Sequence, residues 1–490
     1  MSHINRIIRG GIWLYASSVV INIGGFVYWL IISKIAGAEV IGLTSATIGM
    51  AILTSTLLGL GVNIGIQHFL GKCLGENDKR CFSTYFWTGT IFILVLYLAA
   101  GSVFIALGLS GIKLLHFSSI MTALTGVAII SNVMSVVYSA TVATLRTDIL
   151  FRSVTIGSTI KIVTGSALVT QGYGFLGAFL GYLTLPIYTT IHLAYYLIKY
   201  SENKILFSWK ALKDILRGSI VSWLPSTVLI GGQWIGVLAV YHASGGAETG
   251  NYYVAYAIAN LVFGIGMMMV NLLLPVLSGL SSGRRRAARR VLNLSLSIMV
   301  PITAFIGAYP EVPLAILGKE YIKASTILIV LTLSAVPLAI YYAVNSLMYS
   351  YRMYLKILYM GIAQNVPRLI LYLILVPPYG GLGTAISFTV GAFVGLVYAV
   401  LVAKSVDFYI GWADIGKIIA IPSLTMAACS LLGLHWVLAS LIAVLSYIIY
   451  GRLGLLKRSD IKALTQAVLG EELTSRIYEK TRWIIDYIFT

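Results

Sequence analysis

Arg368 and Lys161 are the residues of this chain whose chemistry is hardest to reconcile with their neighbours. Arg368 lies within QNVPRLILYLILVPPYGG (364–381) and Lys161 within GSTIKIVTGSALVTQGYG (157–174), both otherwise free of charge. An ionised side chain at the centre of a membrane helix costs about 2.5–3.5 kcal/mol on insertion scales, and such residues face a bundle interior or a water-filled cavity. Snorkelling offers little escape. Lys161 is nine residues beyond Arg152, about 13 Å along a helix, and Arg368 is twelve beyond Lys356. The chemistry open to two such cations is anion binding, and a guanidinium engages a phosphate through paired hydrogen bonds. The structural alternative is that each cation simply bonds polar neighbours such as Gln364 and Asn365.

The elements that must position these residues follow from composition. Of 490 residues, 59% are hydrophobic and 10% charged, against roughly 25% charged in a soluble domain, and the mean hydropathy is +0.92. Apolar runs of about 20 residues span a bilayer as helices, and open sheets are excluded there because their backbone groups would go unsatisfied. The expectation is an all-α polytopic membrane protein with about 14 transmembrane helices, at 11–35, 40–66, 82–108, 114–144, 153–172, 174–198, 218–242, 250–276, 291–314, 324–351, 357–377, 379–403, 416–434 and 435–452. Residues 11–35 read as a first span rather than a cleavable signal.

Lys and Arg decide the topology. Alternate connections carry 28 of them on one side, against only Lys34, Lys113, Lys319 and Lys323 on the other. The positive-inside rule makes the rich side cytoplasmic, with both termini there. The net charge of +18 therefore reflects topology and contact with membrane lipids, not a nucleic-acid surface. Residues 199–217 read as a cytoplasmic amphipathic linker helix, SSGRRRAARR (281–290) as a basic cluster at the headgroups, and 453–490 as an amphipathic tail. Cys73, Cys81 and Cys429 are expected to be packing residues, and no metal-ligand spacing, cofactor motif or catalytic pattern is present.

Self-comparison reveals a repeat. IRGGI (8–12) echoes LRGSI (216–220), IGG at 23–25 recurs at 230–232, GAEVIG (37–42) echoes GAETG (246–250), and YGFLGA (173–178) echoes YGGLGT (379–384). The offsets are 208, 207, 209 and 206. Six helices separate the copies, so both insert with the same orientation. Two parallel six-helix lobes (1–198 and 218–404) around a central cavity, then helices 13 and 14 (405–452), are expected.

This arrangement resembles the multidrug/oligosaccharidyl-lipid/polysaccharide (MOP) exporter superfamily. SKIAGAEVIGLTSA (33–46), LAILGKEYIKASTILIVL (314–331) and LVPPYGGLGTAISFTV (375–390) are similar to segments of its polysaccharide-transporter branch, which includes O-antigen-unit flippases. The resemblance implies alternating-access transport of a polyprenyl- or dolichyl-(di)phosphate-linked glycan across the cell membrane by a monomer, with glycan-assembly enzymes as candidate partners and no chemistry performed.

On this reading Lys161 and Arg368 bind the cargo phosphate, since all sixteen Asp and Glu fall in loops, tails or helix ends and no membrane carboxylate neutralises the cations. Gln364, Asn365, Asn22 and Gln233 are candidate cavity residues. Arg9 and Arg217, at the cytoplasmic starts of helices one and seven, are candidates for drawing in a headgroup, although topology anchoring also accounts for them. The competing reading, a cation-coupled multidrug antiporter, lacks the membrane carboxylate it would use. His192 and His242 would be its proton carriers, though a lone histidine on an apolar helix is ordinarily a packing residue.

Overall fold

The structure, a computed structural model, describes residues 3–112, 116–202, 204–279, 283–351 and 353–456. The expected tail at 453–490 lies outside these from residue 457 onward, as do residues 281 and 282 of the basic cluster.

Among the described residues every regular element is helical. In chain order they are α1 (His3–Leu58), α2 (Val62–Gly75), α3 (Lys79–Leu109), α4 (Ser119–Ser131), α5 (Met134–Ala143), α6 (Thr147–Leu168), α7 (Gly174–Leu197), α8 (Trp209–Gly279), α9 (Arg284–Ala308), α10 (Glu311–Leu317), α11 (Ser325–Thr332), α12 (Ala335–Ser350), α13 (Tyr354–Lys404), α14 (Trp412–Leu431) and α15 (Trp436–Arg452). A π-helical turn, Val169–Tyr173, joins α6 to α7. Among the described residues, seven helical segments, or eight counting the bent α11–α12 pair, are long and apolar enough to cross a membrane. The protein is a multi-pass membrane protein.

Fourteen expected spans fit because several helical runs hold two each. A straight helix of the length of α1, 56 residues, would extend about 84 Å, far beyond a hydrocarbon core of about 30 Å. Its backbone breaks at Gly37 (φ 75°, ψ −178°). α8 breaks at Gly245 (78°, −172°) and α13 at Gly380 (51°, −125°), while α7 begins at Gly174 (47°, −122°). Only glycine adopts these conformations without a steric penalty. They come in matched pairs, Gly37 with Gly245 and Gly174 with Gly380, so the repeat is written in the backbone as well as in the sequence.

The dihedrals also correct the register of one echo. Gly37 pairs with Gly245, not Gly246, so GAEVIG aligns with GGAETG (245–250) and no residue is lost. Gly42 then matches Gly250, and Ala38 matches Gly246. These four residues meet where α1 crosses α8: a β-carbon on Gly42 would lie 1.8 Å from the Gly246 carbonyl oxygen, and one on Gly250 would lie 1.9 Å from that of Ala38. Small residues four apart allow this backbone contact. Its reciprocity follows from the repeat.

Other expectations are revised. Spans four and ten are each interrupted, between α4 and α5 and between α11 and α12, the latter with a bend of 41°. The second span ends at Leu58, where Leu60 and Gly61 take left-handed conformations, and α2 continues separately. After a 3-10 turn at Ile198–Tyr200 the linker is helical again only from Trp209; between them, Ser208 N–H donates to Thr88 Oγ1 and Ser83 Oγ to the Lys204 carbonyl, fastening this stretch to α3. Cys73 and Cys81 form a disulfide rather than packing separately, because the tight α2–α3 turn, capped by Asp78 accepting from Cys81 N–H, brings their Cα atoms to 5.5 Å.

Contacts divide the chain into two units. The first holds Met1–Val254 with Leu317–Glu320 and Leu369–Thr384; the second holds Ala255–Ile316, Tyr321–Arg368 and the chain from Ala385. In the first, α6 packs closely on α1 and α7; in the second, α9 packs on α12 and α14.

Candidate functional site

Lys161 lies in the first unit, on α6, with 3% of its surface exposed. Its ammonium nitrogen stands 5.0 Å from the centroid of the Tyr28 ring and 5.6 Å from that of Tyr182. The rings are fixed. Tyr28 donates its hydroxyl to the Ala178 carbonyl, and it fits against α6 because residue 165, one turn beyond Lys161, is glycine: a β-carbon there would be 2.5 Å from the ring. Trp29 and Tyr253 extend the aromatic cluster. No hydrogen bond or ion pair of the Lys161 ammonium is found among the described residues, so its surroundings are chiefly π-faces. Each such contact is worth about 0.5–2 kcal/mol, less than the several kcal/mol of burying an ion.

Arg368 lies in the second unit, on α13, 1% exposed. Its guanidinium carbon sits 4.1 Å from the centroid of the Phe388 ring. One terminal N–H group donates to Asn365 Oδ1 at 3.1 Å and the other to the Phe388 carbonyl at 3.4 Å. Nε has no partner, and neither does the nearby Gln364 Oε1. Phe388 is held in turn by Tyr256 and by Phe263, which stacks on it. Gly391 makes the seat: a β-carbon there would lie 2.6 Å from the Gln364 carbonyl oxygen and 2.9 Å from Arg368 Cβ.

Several carboxylates are committed elsewhere. Asp148 is forked by Arg146, with both N–O distances 2.9 Å, and this bonding raises the Arg146 pKa. Asp414 accepts from Arg289 at 2.8 Å and Asp407 lies 3.6 Å from Arg285. Two arginines of the basic cluster thus dock on the connection before α14 and on the first turn of α14 itself. Glu248 accepts from Gly381 N–H just past the α13 break, and Tyr85 hydrogen-bonds to Asp214. Among the described residues neither buried cation has an acidic partner.

The remaining candidates separate. Asn365 joins Arg368, and Gln364 is buried beside it. Asn22 is exposed and bonds only its own helix through the Ser18 carbonyl. Gln233 is half-buried on α8 and Arg217 is exposed on the same helix; the Arg9 side chain lies outside the described residues. His242 pairs with His116, Nδ1 to Nδ1 at 3.0 Å, and His192 stacks on Tyr188 with Nδ1 buried and unpartnered. Sequence reasoning missed the aromatic partners of both cations, although the run FVYWL (26–30) carried the signal. It also missed an apolar groove of about 870 Å³ within the second unit, walled by residues of α9, α11–α12, α13 and α14, including Phe393 and Trp412.

With this geometry in hand, the fold can be compared with solved structures. At the sequence level no protein-family model matches the chain, and no curated protein matches it either. In three dimensions it is similar to the lipid II flippase MurJ in an inward closed conformation, with a TM-score of 0.67 at 15% identity over 89% of this chain and 98% of that one. It is also similar to an inward-facing multidrug resistance MATE family transporter of the MOP superfamily, with a TM-score of 0.61 at 17% identity, covering 80% and 95% of the two chains. A MOP superfamily transporter from Pyrococcus furiosus gives 0.56 at 17% identity, covering 84% and 96%. The chain has the fold of MOP superfamily transporters. These solved neighbours are a flippase and two transporters.

Proposed function

We propose that this protein translocates a lipid-linked oligosaccharide or polysaccharide unit from the cytoplasmic to the outer leaflet by alternating access. The observation that carries the reading is that Lys161 and Arg368 lack a carboxylate partner among the described residues, within a fold shared with a lipid II flippase. A polyprenyl- or dolichyl-linked phosphate or diphosphate is the partner they lack. Because both are enclosed, the anion reaches them only as the surrounding helices move, which couples headgroup binding to the conformational cycle. The apolar groove against α14 suits the isoprenoid tail. Both termini lie in the cytoplasm on the Lys and Arg asymmetry, and the protein works as a monomer in the cell membrane, alongside glycan-assembly enzymes.

The multidrug antiporter reading draws on the second solved neighbour. It requires a proton- or cation-binding group at depth, for which His192 and His242 are the candidates. Reconstitution separates the two. Proteoliposomes carrying a fluorescent lipid-linked sugar should show flipping, normalised to folded protein, that falls in Lys161→Gln and Arg368→Gln and is lost in the double variant. Gradient-driven efflux of cationic dyes with no lipid flipping would establish the antiporter instead.

A further inference from the structure

The helix pair α1–α8 touches backbone to backbone at Ala38, Gly42, Gly246 and Gly250. Further along the same pair it holds a pocket of about 400 Å³, wholly within the first unit. The pocket exists because α1 stops at Leu58, where Leu60 and Gly61 are left-handed. That stop opens carbonyls near the end of α1 to donors from outside the helix, and side chains of α3 and α8 reach two of them, the Ser55 carbonyl being shared with Gly59 N–H. Tyr97 donates to the Ser55 carbonyl at 2.8 Å and Trp223 Nε1 to that of Thr56 at 2.9 Å, while Asn132, at the α4–α5 break, donates to Ser55 Oγ at 2.9 Å. Ring and amide groups are thereby fixed around the cavity before any ligand arrives.

Among the described residues no Asp, Glu, Lys, Arg or His lines this pocket. Its wall divides into amide and hydroxyl groups, such as Asn63, Asn132 and Thr227, and aliphatic and aromatic surface. Thr227 Oγ1 is buried without a hydrogen-bond partner, which costs free energy until a partner is supplied, and Asn132 has used only one of its two amide N–H donors on Ser55. A fixed, uncharged wall that alternates polar edges with aromatic and aliphatic faces matches a pyranose ring, whose equatorial hydroxyls ring an apolar C–H face. It matches neither a phosphate, for which it has no cation, nor a drug cation, for which it has no acid.

We propose that this pocket is a subsite for one neutral sugar residue of the cargo, separate from the cations that meet the phosphate. The inference rests on the flippase reading and adds a constraint to it: the residue held here is an uncharged hexose, deoxyhexose or N-acetylhexosamine, not a uronic acid. The test uses the full chain in nanodiscs and saturation-transfer NMR with the methyl glycosides of glucose, galactose, mannose, rhamnose and N-acetylglucosamine, and with methyl glucuronide as the charged control. At least one neutral glycoside should give a signal, the glucuronide none. Asn132→Ala should weaken the signal about tenfold, the equivalent of one hydrogen bond, and the cavity-filling Ser135→Phe should remove it. Thermal unfolding of each variant distinguishes loss of the site from loss of the fold, and Thr227→Val provides a second, milder probe. Absence of signal from every neutral glycoside, or signals unchanged in folded Asn132→Ala and Ser135→Phe, would overturn the subsite. Parallel flipping measurements keep the two ideas apart: flipping without glycoside binding rejects the subsite alone, whereas glycoside binding without flipping rejects the flippase reading.

Discussion

Lys161 and Arg368 stand at corresponding places in the two copies of the repeat, yet the copies hold their cations by different chemistry. The ammonium of Lys161 sits between two tyrosine faces. The guanidinium of Arg368 lies over one phenyl ring and spends its edge donors on Asn365 and a backbone carbonyl. A compact ammonium is attracted by π-faces from several directions but finds no acceptors there; a planar guanidinium stacks and hydrogen-bonds at once. The second site is therefore pre-organised and the first is under-satisfied. Even their register shows the difference. Lys161 is thirteen residues before Gly174, whereas Arg368 is twelve before Gly380, and the first copy absorbs its extra residue in the π-helical turn Val169–Tyr173. Such a turn takes up one residue more than an α-helical turn, which matches the difference in spacing.

Charge reversal should produce the largest effect. Lys161→Glu and Arg368→Glu place repulsion worth several kcal/mol where, on the proposed flippase reading, an anion passes, so flipping should fall by on the order of a hundredfold or more in each. Arg368→Glu should also destabilise the fold, since Asn365 Oδ1 and the Phe388 carbonyl would then face a carboxylate. Lys161→Glu has only rings to offend and should leave thermal unfolding closer to wild type. Similar unfolding in the two variants would break the comparison.

Next in size is the seat of Arg368. Gly391→Val directs new atoms at the Gln364 carbonyl oxygen, which belongs to a helix backbone and cannot swing aside. Overpacking of this kind costs about 1–3 kcal/mol or more. The expected result is a lower Tm in nanodiscs, with Gly391→Ala intermediate. An unchanged Tm in Gly391→Val would mean that α13 does not pack against itself across its break as described.

How much of this was legible in the sequence follows from the range of each signal. Fourteen spans could be read because apolar runs of bilayer length are local, and the matched glycine breaks because the repeat preserved them. The two cations stood out because charge is so rare at that depth. Their partners did not, since Tyr28 lies 133 positions from Lys161 and only tertiary packing unites them. Nor did apolar composition mark the interruption at Asn132 or at Leu333, where neither glycine nor proline stands. The π-helical turn left no trace in hydropathy, because one inserted residue changes the facing of side chains without changing their polarity. The disulfide needed the geometry of the α2–α3 turn, which a cysteine spacing of eight does not dictate.

The aromatic partners supply a smaller, sharper probe. Tyr182→Leu removes one of two faces from Lys161 and should reduce flipping up to about tenfold, in keeping with one cation–π contact, whereas Tyr182→Phe keeps the face and should stay near wild type. Phe388→Leu should reduce flipping less than Tyr182→Leu, because Arg368 keeps its two hydrogen bonds. Equal losses at both positions would mean that the rings, not the oxygens, position the guanidinium.

The smallest expected effect is also the most discriminating. Lys161→Arg retains the charge in a site made of faces, and a guanidinium stacks on tyrosine at least as well as an ammonium does. Because Lys161 has no hydrogen bond to lose among the described residues, flipping should remain within about threefold of wild type, less than one hydrogen bond is worth. Arg368→Lys is the counterpart. It preserves the charge but cannot stack flat on Phe388 while reaching Asn365 and the Phe388 carbonyl, so one of those contacts is lost, as is the two-pronged grip proposed for phosphate. A loss of about tenfold is expected there, measured as the initial rate of flipping per folded molecule. Arg368→Gln should lose more still, since it keeps the amide contact but no charge. If the two charge-conserving exchanges instead cost the same, the repeat would hold two interchangeable cations, and the division into an adaptable first site and a pre-organised second one would fall.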